Sequence, residues 1–184
     1  MRSPILLIIS GALLGCPNNS SETCGPGSNA SADLEATGSG IATTYASLSS
    51  HENHDCVAPS TPDGVVALTI DGAAVGGGLF TLCIPRPDLL ATQSMGLASS
   101  SSAGSDVQVI DLTGSAGGGC TFALDQTAAV SGTISATGLC GEGSAGYSLT
   151  LNAGVTVDVT CGSGSATSES VTASGTVAVA GSAT

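Results

Sequence analysis

The chain has 184 residues, which is enough for one domain with a substantial core. It carries 14 acidic residues against two basic ones, for a formal net charge of −12, and it contains no tryptophan. Because nucleic-acid binding needs clustered lysines or arginines, this composition excludes a nucleic-acid partner. The scarcity of aromatic residues argues equally against a surface that stacks on sugar rings.

The first sixteen residues have the order of features found in an export signal. Arg2 provides a positive start, residues 5–14 form an apolar run, and the small Gly15 precedes Cys16. An apolar run of about ten residues is too short to span a bilayer. We therefore predict that residues 1–15 are a signal peptide that is removed on export.

The sequence Leu13-Leu14-Gly15-Cys16 resembles the lipobox of bacterial lipoproteins. The resemblance covers only these first sixteen positions, and it implies cleavage before Cys16 and acylation of the Cys16 thiol. After Cys16 comes Pro17 rather than the Asp associated with inner-membrane retention in some Gram-negative systems. The resemblance therefore implies a lipid-anchored protein of the cell envelope, with the outer membrane favoured and an oxidising compartment around it.

Loss of Arg2 with the signal would leave Arg86 as the only basic residue, with a formal charge of −13. Such a surface is repelled by anionic lipid headgroups. Membrane attachment must then come from the acyl chains, and the two or three chains typical of the lipoprotein family would make it persistent.

Residues 16–32 are predicted to be the lipidated N-terminus followed by a flexible tether. Asn, Ser, Gly and Pro dominate this segment, and apolar residues are almost absent. Cys24 lies within it, so a disulfide from Cys24 to the domain would shorten the tether. Residues 33–184 are assigned to the folded domain.

The segment from His51 to Cys56 holds both histidines of the chain together with two carboxylates. His51, His54 and Asp55 could form a facial ligand set for zinc or nickel. The competing interpretation is a polar loop with two solvated imidazoles, and it is favoured because the sequence has no second ligand cluster. No resident cofactor is therefore predicted.

From Ile41 onward, apolar residues alternate with Thr, Ser and Asp in short runs separated by glycine-rich turns. Alternation with a period of two is typical of strands that have one buried face and one wet face. The sequence therefore predicts an all-β fold, namely a single antiparallel β-sandwich of the immunoglobulin-like or jelly-roll-like type. The alternating runs are 66–70, 80–84, 122–124, 147–151, 155–159 and 177–179.

Two segments, 65–82 and 107–124, resemble each other as a strand, a glycine-rich turn and a second strand. Both duplication and convergent composition explain the likeness, and in either case two similar hairpins are predicted.

Residues 85–105 are the longest interruption of the strand pattern. Pro87 suits the first position of a helical turn at 87–90, and the serine-rich remainder is predicted to be a loop. Arg86 is predicted to form a structural ion pair with an acidic side chain across the fold.

Apart from Cys16, the cysteines occur without a CxxC pair, so no common zinc spacing is present. In an exported protein, an even number of them is most simply explained by disulfides, although the sequence cannot fix their connectivity. Side-chain parity turns Cys120 and Cys161 inward, whereas Cys83 has the opposite parity and would pair at an edge or in a loop such as that of Cys56. The six predicted disulfide cysteines are Cys24, Cys56, Cys83, Cys120, Cys140 and Cys161.

Motifs for catalysis are absent or out of context. Residues 141–146 match GxGxxG, but a strand rather than a helix follows, so these glycines are predicted to form a turn. No GxSxG elbow occurs. The aspartates that could supply paired carboxylates, Asp71, Asp111, Asp125 and Asp158, are spread over separate strands or turns.

Together, these features predict a non-enzymatic envelope lipoprotein that serves as a structural or interaction module, with the membrane and an envelope protein as its partners. The overall pattern also resembles that of small bacterial envelope lipoproteins. The alternative is a divalent-metal-binding lipoprotein that uses the loop from His51 to Asp55.

Overall fold

The computed structural model describes residues 28–53, 55–63, 65–100, 104–139 and 146–180. These residues form ten strands, one turn of α-helix and one short 3-10 turn, which confirms the predicted all-β class. The helix α1 (Pro87–Leu90) is the predicted helical turn, and the 3-10 turn is Gly117–Gly119. The strands are β1 (Ser28–Gly38), β2 (Ile41–Glu52), β3 (Leu68–Ala74), β4 (Leu79–Ile84), β5 (Met95–Ser99), β6 (Val107–Ala116), β7 (Cys120–Leu124), β8 (Ser131–Thr137), β9 (Gly146–Cys161) and β10 (Thr167–Ala180).

The strands form one continuous hydrogen-bonded sheet. Pairing runs from β1 through β2, β3, β4, β6, β7, β9 and β10, and it returns to β1 because β10 pairs with both β9 and β1. A second route connects β6 to β9, because β5 pairs with β6 and with β8, and β8 pairs with β9. All of the pairings are antiparallel except β5 with β6. The two-sheet sandwich is therefore not confirmed, whereas the all-β class is.

The apolar faces of the strands fill the interior of this closed sheet. All four aromatic side chains of the sequence are buried there. The Tyr45 hydroxyl donates to the carbonyl oxygen of Thr113 at 2.6 Å, and the Tyr147 hydroxyl donates to Ser50 Oγ at 2.9 Å. Burial raises the pKa of both phenols, so both remain neutral donors at physiological pH.

The two predicted hairpins are present as β3–β4 and β6–β7. In each one a phenylalanine lies directly opposite a glycine: Phe80 faces Gly72, and Phe122 faces Gly114. A Cβ atom on Gly114 would lie 2.7 Å from the Phe122 ring. The glycine is therefore required by the close approach of the ring to the backbone.

Two segments predicted to lack strands contain them. Strand β1 begins at Ser28, so the last five residues of the predicted tether belong to a strand that pairs with β10, and the earlier tether lies outside the described residues. Strand β5 lies inside the predicted loop 85–105, with Met95 and Leu97 buried. Residues 30–37 of β1 alternate apolar and polar side chains, a pattern that indicates a strand although the tether was predicted to extend to residue 32. Strand β5 has only a short alternation, and it is held by backbone pairing with β6 and β8.

The two ends of the closed sheet differ in chemistry. At the end where β1 begins, β2 and β4 end, and β3 and β6 begin; we call it the entry end. Six charged residues lie at or next to it, namely Glu52, Asp55, Asp63, Arg86, Asp88 and Asp106. At the opposite end, which we call the glycine end, the turns 39–40, 75–78, 117–119 and 162–166 contain no charged residue.

Candidate functional site

Several residues with predicted roles fall outside the described part of the chain. They are Cys16, Cys24, His54 and Cys140. The predicted lipidation site and part of the predicted metal set therefore stay predictions. The remaining candidates, His51, Asp55 and four cysteines, are described.

His51 lies near the end of β2 and contacts Asp71 on the neighbouring strand β3. Its Nδ1 atom is 3.3 Å from Asp71 Oδ2, and both side chains are about half exposed. The other carboxylate oxygen of Asp71 accepts a hydrogen bond from Thr81 Oγ1 at 2.8 Å. Three adjacent strands thus contribute one polar cluster in which Asp71 is held from two sides. When neutral His51 donates Nδ1–H to Asp71, its Nε2 is left as an acceptor.

Asp55 belongs to a tight turn after β2 that Asn53 organises. The Asp55 backbone N–H donates to Asn53 Oδ1 at 3.0 Å, and Asn53 Nδ2 donates to Thr69 Oγ1 at 2.9 Å. No group of three or more His, Cys, Asp or Glu residues that could hold a metal ion occurs in the described ranges. Because His54 is outside them, the set of His51, His54 and Asp55 is not tested.

Arg86 forms its ion pair with a near neighbour, so the predicted pairing across the fold is wrong. Its Nε and Nη2 atoms donate to the two oxygens of Asp88 at 2.8 and 2.7 Å. The pair forms locally because both residues flank the start of α1, where the chain turns sharply. The hydrogen bonds from Arg86 hold the pKa of Asp88 below its ordinary value.

The four aspartates considered for paired-carboxylate chemistry have separate surroundings. Asp71 contacts His51 and Thr81, and Asp158 accepts a hydrogen bond from Ser168. Asp125 accepts from the side chain and backbone of Thr127, which lowers its pKa. Asp111 differs from these, because burial raises its pKa. The hydrogen bonds resolved for these four carboxylates join none of them to another.

Asp111→Asn is expected to raise the free energy of unfolding at pH 7 by roughly 0.5 kcal/mol, a value reduced for solvent screening. Because the pKa of Asp111 is raised in the fold, wild-type stability falls as pH rises from the ordinary value of 3.8 through the raised value. Urea unfolding at pH 7 and at about pH 3 measures this, since the gain should vanish at the lower pH. Asp63→Asn, at an exposed loop position, is the matched control. A gain that is equal at both pH values would contradict the expectation.

The structure joins the described cysteines as Cys56–Cys83 and Cys120–Cys161. The first is the loop pairing suggested by the parity of Cys83, and it attaches the segment after β2 to β4. The second links residues directly opposite on β7 and β9, with Cα atoms 4.2 Å apart. Cys120 is buried as predicted, but Cys161 is exposed because it lies at the end of β9, where the sheet stops.

Thiol counting on denatured, unreduced mature protein is expected to find no free thiol. Two bridges account for four cysteines, and acylation removes the Cys16 thiol. Of the six cysteines predicted to form disulfides, Cys24 and Cys140 then remain as the third pair, although both lie outside the described residues. Mass spectrometry of peptides from the unreduced protein identifies that link. Two free thiols per chain would contradict the prediction.

A shallow depression of about 300 Å³ lies on the outer face of β9 and β10. Hydroxyl groups of Ser131, Thr156, Ser170 and Thr172 line it, and Gly154 leaves the space that a side chain would fill. Alternation in the sequence predicts the wet face, but not that these residues meet, because the meeting depends on register. No acid, base or aromatic side chain lines the depression, so it offers hydroxyl hydrogen bonds and small apolar contacts from Ala129, Val155 and Val171.

Comparison with protein-family models, with curated proteins and with solved structures gives no match. Within the described ranges, no helix has the length and apolar character needed to cross a membrane.

Proposed function

We propose that this protein is a lipid-anchored lipoprotein of the cell envelope whose closed β-domain is a structural or interaction module without enzymatic activity. The observation that carries the proposal is the sequence Leu13-Leu14-Gly15-Cys16 after a positive residue and an apolar run. Acylation at Cys16 would provide membrane attachment that a chain with a formal charge of −13 cannot obtain from anionic lipids.

The two disulfides support an extracytoplasmic location. Stable disulfides are typical of exported proteins and rare in a reducing cytosol. The cysteines concerned lie on separate elements and bridge 27 and 41 positions of sequence, so they close long loops. We propose the outer membrane as the site of anchoring, because Pro17 follows Cys16.

The non-enzymatic part of the proposal is supported by the chemistry of the sequence. Only two histidines are available as general bases, and both occur within one six-residue segment. No GxSxG elbow is present. A module of this kind would act through the surface that it presents, so its partner would be another envelope component.

Intact-mass measurement of protein extracted from membranes tests the proposal. The N-terminal fragment should begin with Cys16 and carry the additional mass of two or three acyl chains. A mature form that begins elsewhere, or one with an unmodified Cys16, would refute lipid anchoring.

Divalent-metal binding is the second candidate, and the contact between His51 and Asp71 favours it. Histidine ligands commonly donate their other ring N–H to a carboxylate, which fixes the orientation of the ring. If the loop binds metal, calorimetric titration of the mature domain with zinc or nickel should release heat. Asp71→Asn should weaken that binding by about tenfold or more, and His51→Gln should weaken it further. Absence of heat with zinc, nickel and calcium would eliminate this candidate.

A further inference from the structure

The short distance in sequence between Cys16 and the first strand limits the orientations that the folded domain can adopt on a membrane. Strand β1 starts at Ser28, twelve positions after Cys16. A fully extended chain of that length reaches at most about 40 Å. The tether predicted for residues 16–32 is rich in small polar residues, and a coil of twelve such positions would have a root-mean-square end-to-end distance of only about 20 Å.

Ser28 lies at the entry end, where it pairs with Ala180 at the end of β10. The glycine end is one strand length away, because β1 runs eleven residues to Gly38, or about 33 Å along the strand. Bringing the glycine end to the bilayer would require the linker to span well beyond its average extension. Bringing the entry end to the bilayer requires no stretching.

Charge keeps the entry end from lying directly on the lipid. Among the described residues near this end, acidic side chains outnumber the single cation Arg86, which is already paired with Asp88. Their repulsion from anionic headgroups is screened within about 8 Å at physiological ionic strength. This screening distance is shorter than the average coil length of the predicted tether. Repulsion therefore keeps the entry end a short distance from the bilayer, but it does not turn the glycine end towards the bilayer.

Two exposed apolar side chains belong to the glycine end. Val75, in the turn between β3 and β4, is 87% exposed, and Leu79, the first residue of β4, is 54% exposed. The neighbouring turns contain no charged residue. Resting on the proposed lipid anchor, we propose that the domain stands with its entry end towards the bilayer and presents the glycine end, with Val75 and Leu79, as its outward surface.

Energy transfer from a single introduced tryptophan to labelled lipid tests this orientation. The chain has no tryptophan, and it offers two exposed valines, Val57 beside the Cys56 bridge near the entry end and Val75 at the glycine end. Lipidated Val57→Trp and Val75→Trp proteins would be added to preformed vesicles of phosphatidylethanolamine and phosphatidylglycerol that contain a trace of dansyl-labelled phosphatidylethanolamine. Leu79→Trp provides a second reporter at the glycine end if Val75→Trp does not fold.

Transfer from Val57→Trp is expected to exceed transfer from Val75→Trp several-fold. Equal or reversed transfer would overturn the orientation while leaving the lipid anchor intact. Flotation of the same samples reports the anchor separately, because wild type should float with the vesicles and Cys16→Ser should not. If wild type itself does not float, the anchor and the orientation are both refuted.

Discussion

Replacing Cys16 with serine should transfer the protein from the membrane fraction to the soluble exported fraction. Serine cannot form the thioether through which lipoproteins are acylated, and the strongly acidic mature chain has no electrostatic route to an anionic bilayer. Two or three acyl chains make attachment persistent, so without them almost all of the protein should leave the membrane fraction. Cell fractionation with detection of the folded domain measures the distribution.

The neighbouring substitution Pro17→Ala is the matched control, because it changes the same segment and keeps the thiol. It should leave the protein in the membrane fraction. If Cys16→Ser remains membrane-bound in a high-salt wash, the attachment does not depend on lipid at this residue. That result would also remove the basis for the proposed orientation.

Gly175→Ala should lower the free energy of unfolding by about 3 to 5 kcal/mol, combining overpacking with an unfavourable backbone conformation. Gly175 lies in β10 between Leu34 of β1 and Leu151 of β9, where the closed sheet is completed. Its φ is +143°, and a Cβ atom would lie 1.9 Å from the carbonyl oxygen of Asp33. Since that obstacle is backbone in a paired strand, the strands themselves must separate. Equilibrium denaturation followed by circular dichroism measures the loss.

Gly77→Ala separates the two contributions. Gly77 also has a positive φ of +93°, but a Cβ atom there meets nothing within 4 Å. Only the conformational cost of about 1 to 2 kcal/mol should therefore appear. Equal losses in the two variants would show that steric conflict at the junction of β1 and β10 is not what destabilises Gly175→Ala.

Closure of the sheet affects what kind of module this domain can be. Exposed edge strands offer unpaired backbone groups to other chains, and closed sheets remove them. Here β1 and β10, which come from opposite ends of the described chain, pair along most of their length. Contacts with an envelope partner would then be made through strand faces and turns rather than by strand addition.

Much of the fold follows from local pattern. Alternation in runs such as 80–84 and 155–159 specifies strands with one buried face, and the glycine-rich turns between runs specify the two hairpins. Parity also turned Cys120 inward and placed Cys83 opposite to its apolar neighbours. These features depend on neighbours within a few residues, which a single strand carries in its own sequence.

The remaining features were decided by the tertiary structure. Period-two alternation states which face of a strand is buried, but not which strand lies beside it or in what register. Consequently, the pairing of β1 with β10, the pairing of β5 with β6 and β8, and the contact of His51 with Asp71 depend on the tertiary structure. The strand character of β1 itself does not, because residues 30–37 alternate apolar and polar side chains. The pairing of Arg86 with Asp88 instead of a distant carboxylate follows from the turn at the start of α1. The sequence alone indicated the all-β class, which the structure confirms, and it predicts the lipid anchor. Only long-range pairing could close β10 onto β1 and set the entry end apart from the glycine end. Backbone hydrogen bonds are the same for nearly all residue types, so the sequence of a strand does not identify its partner.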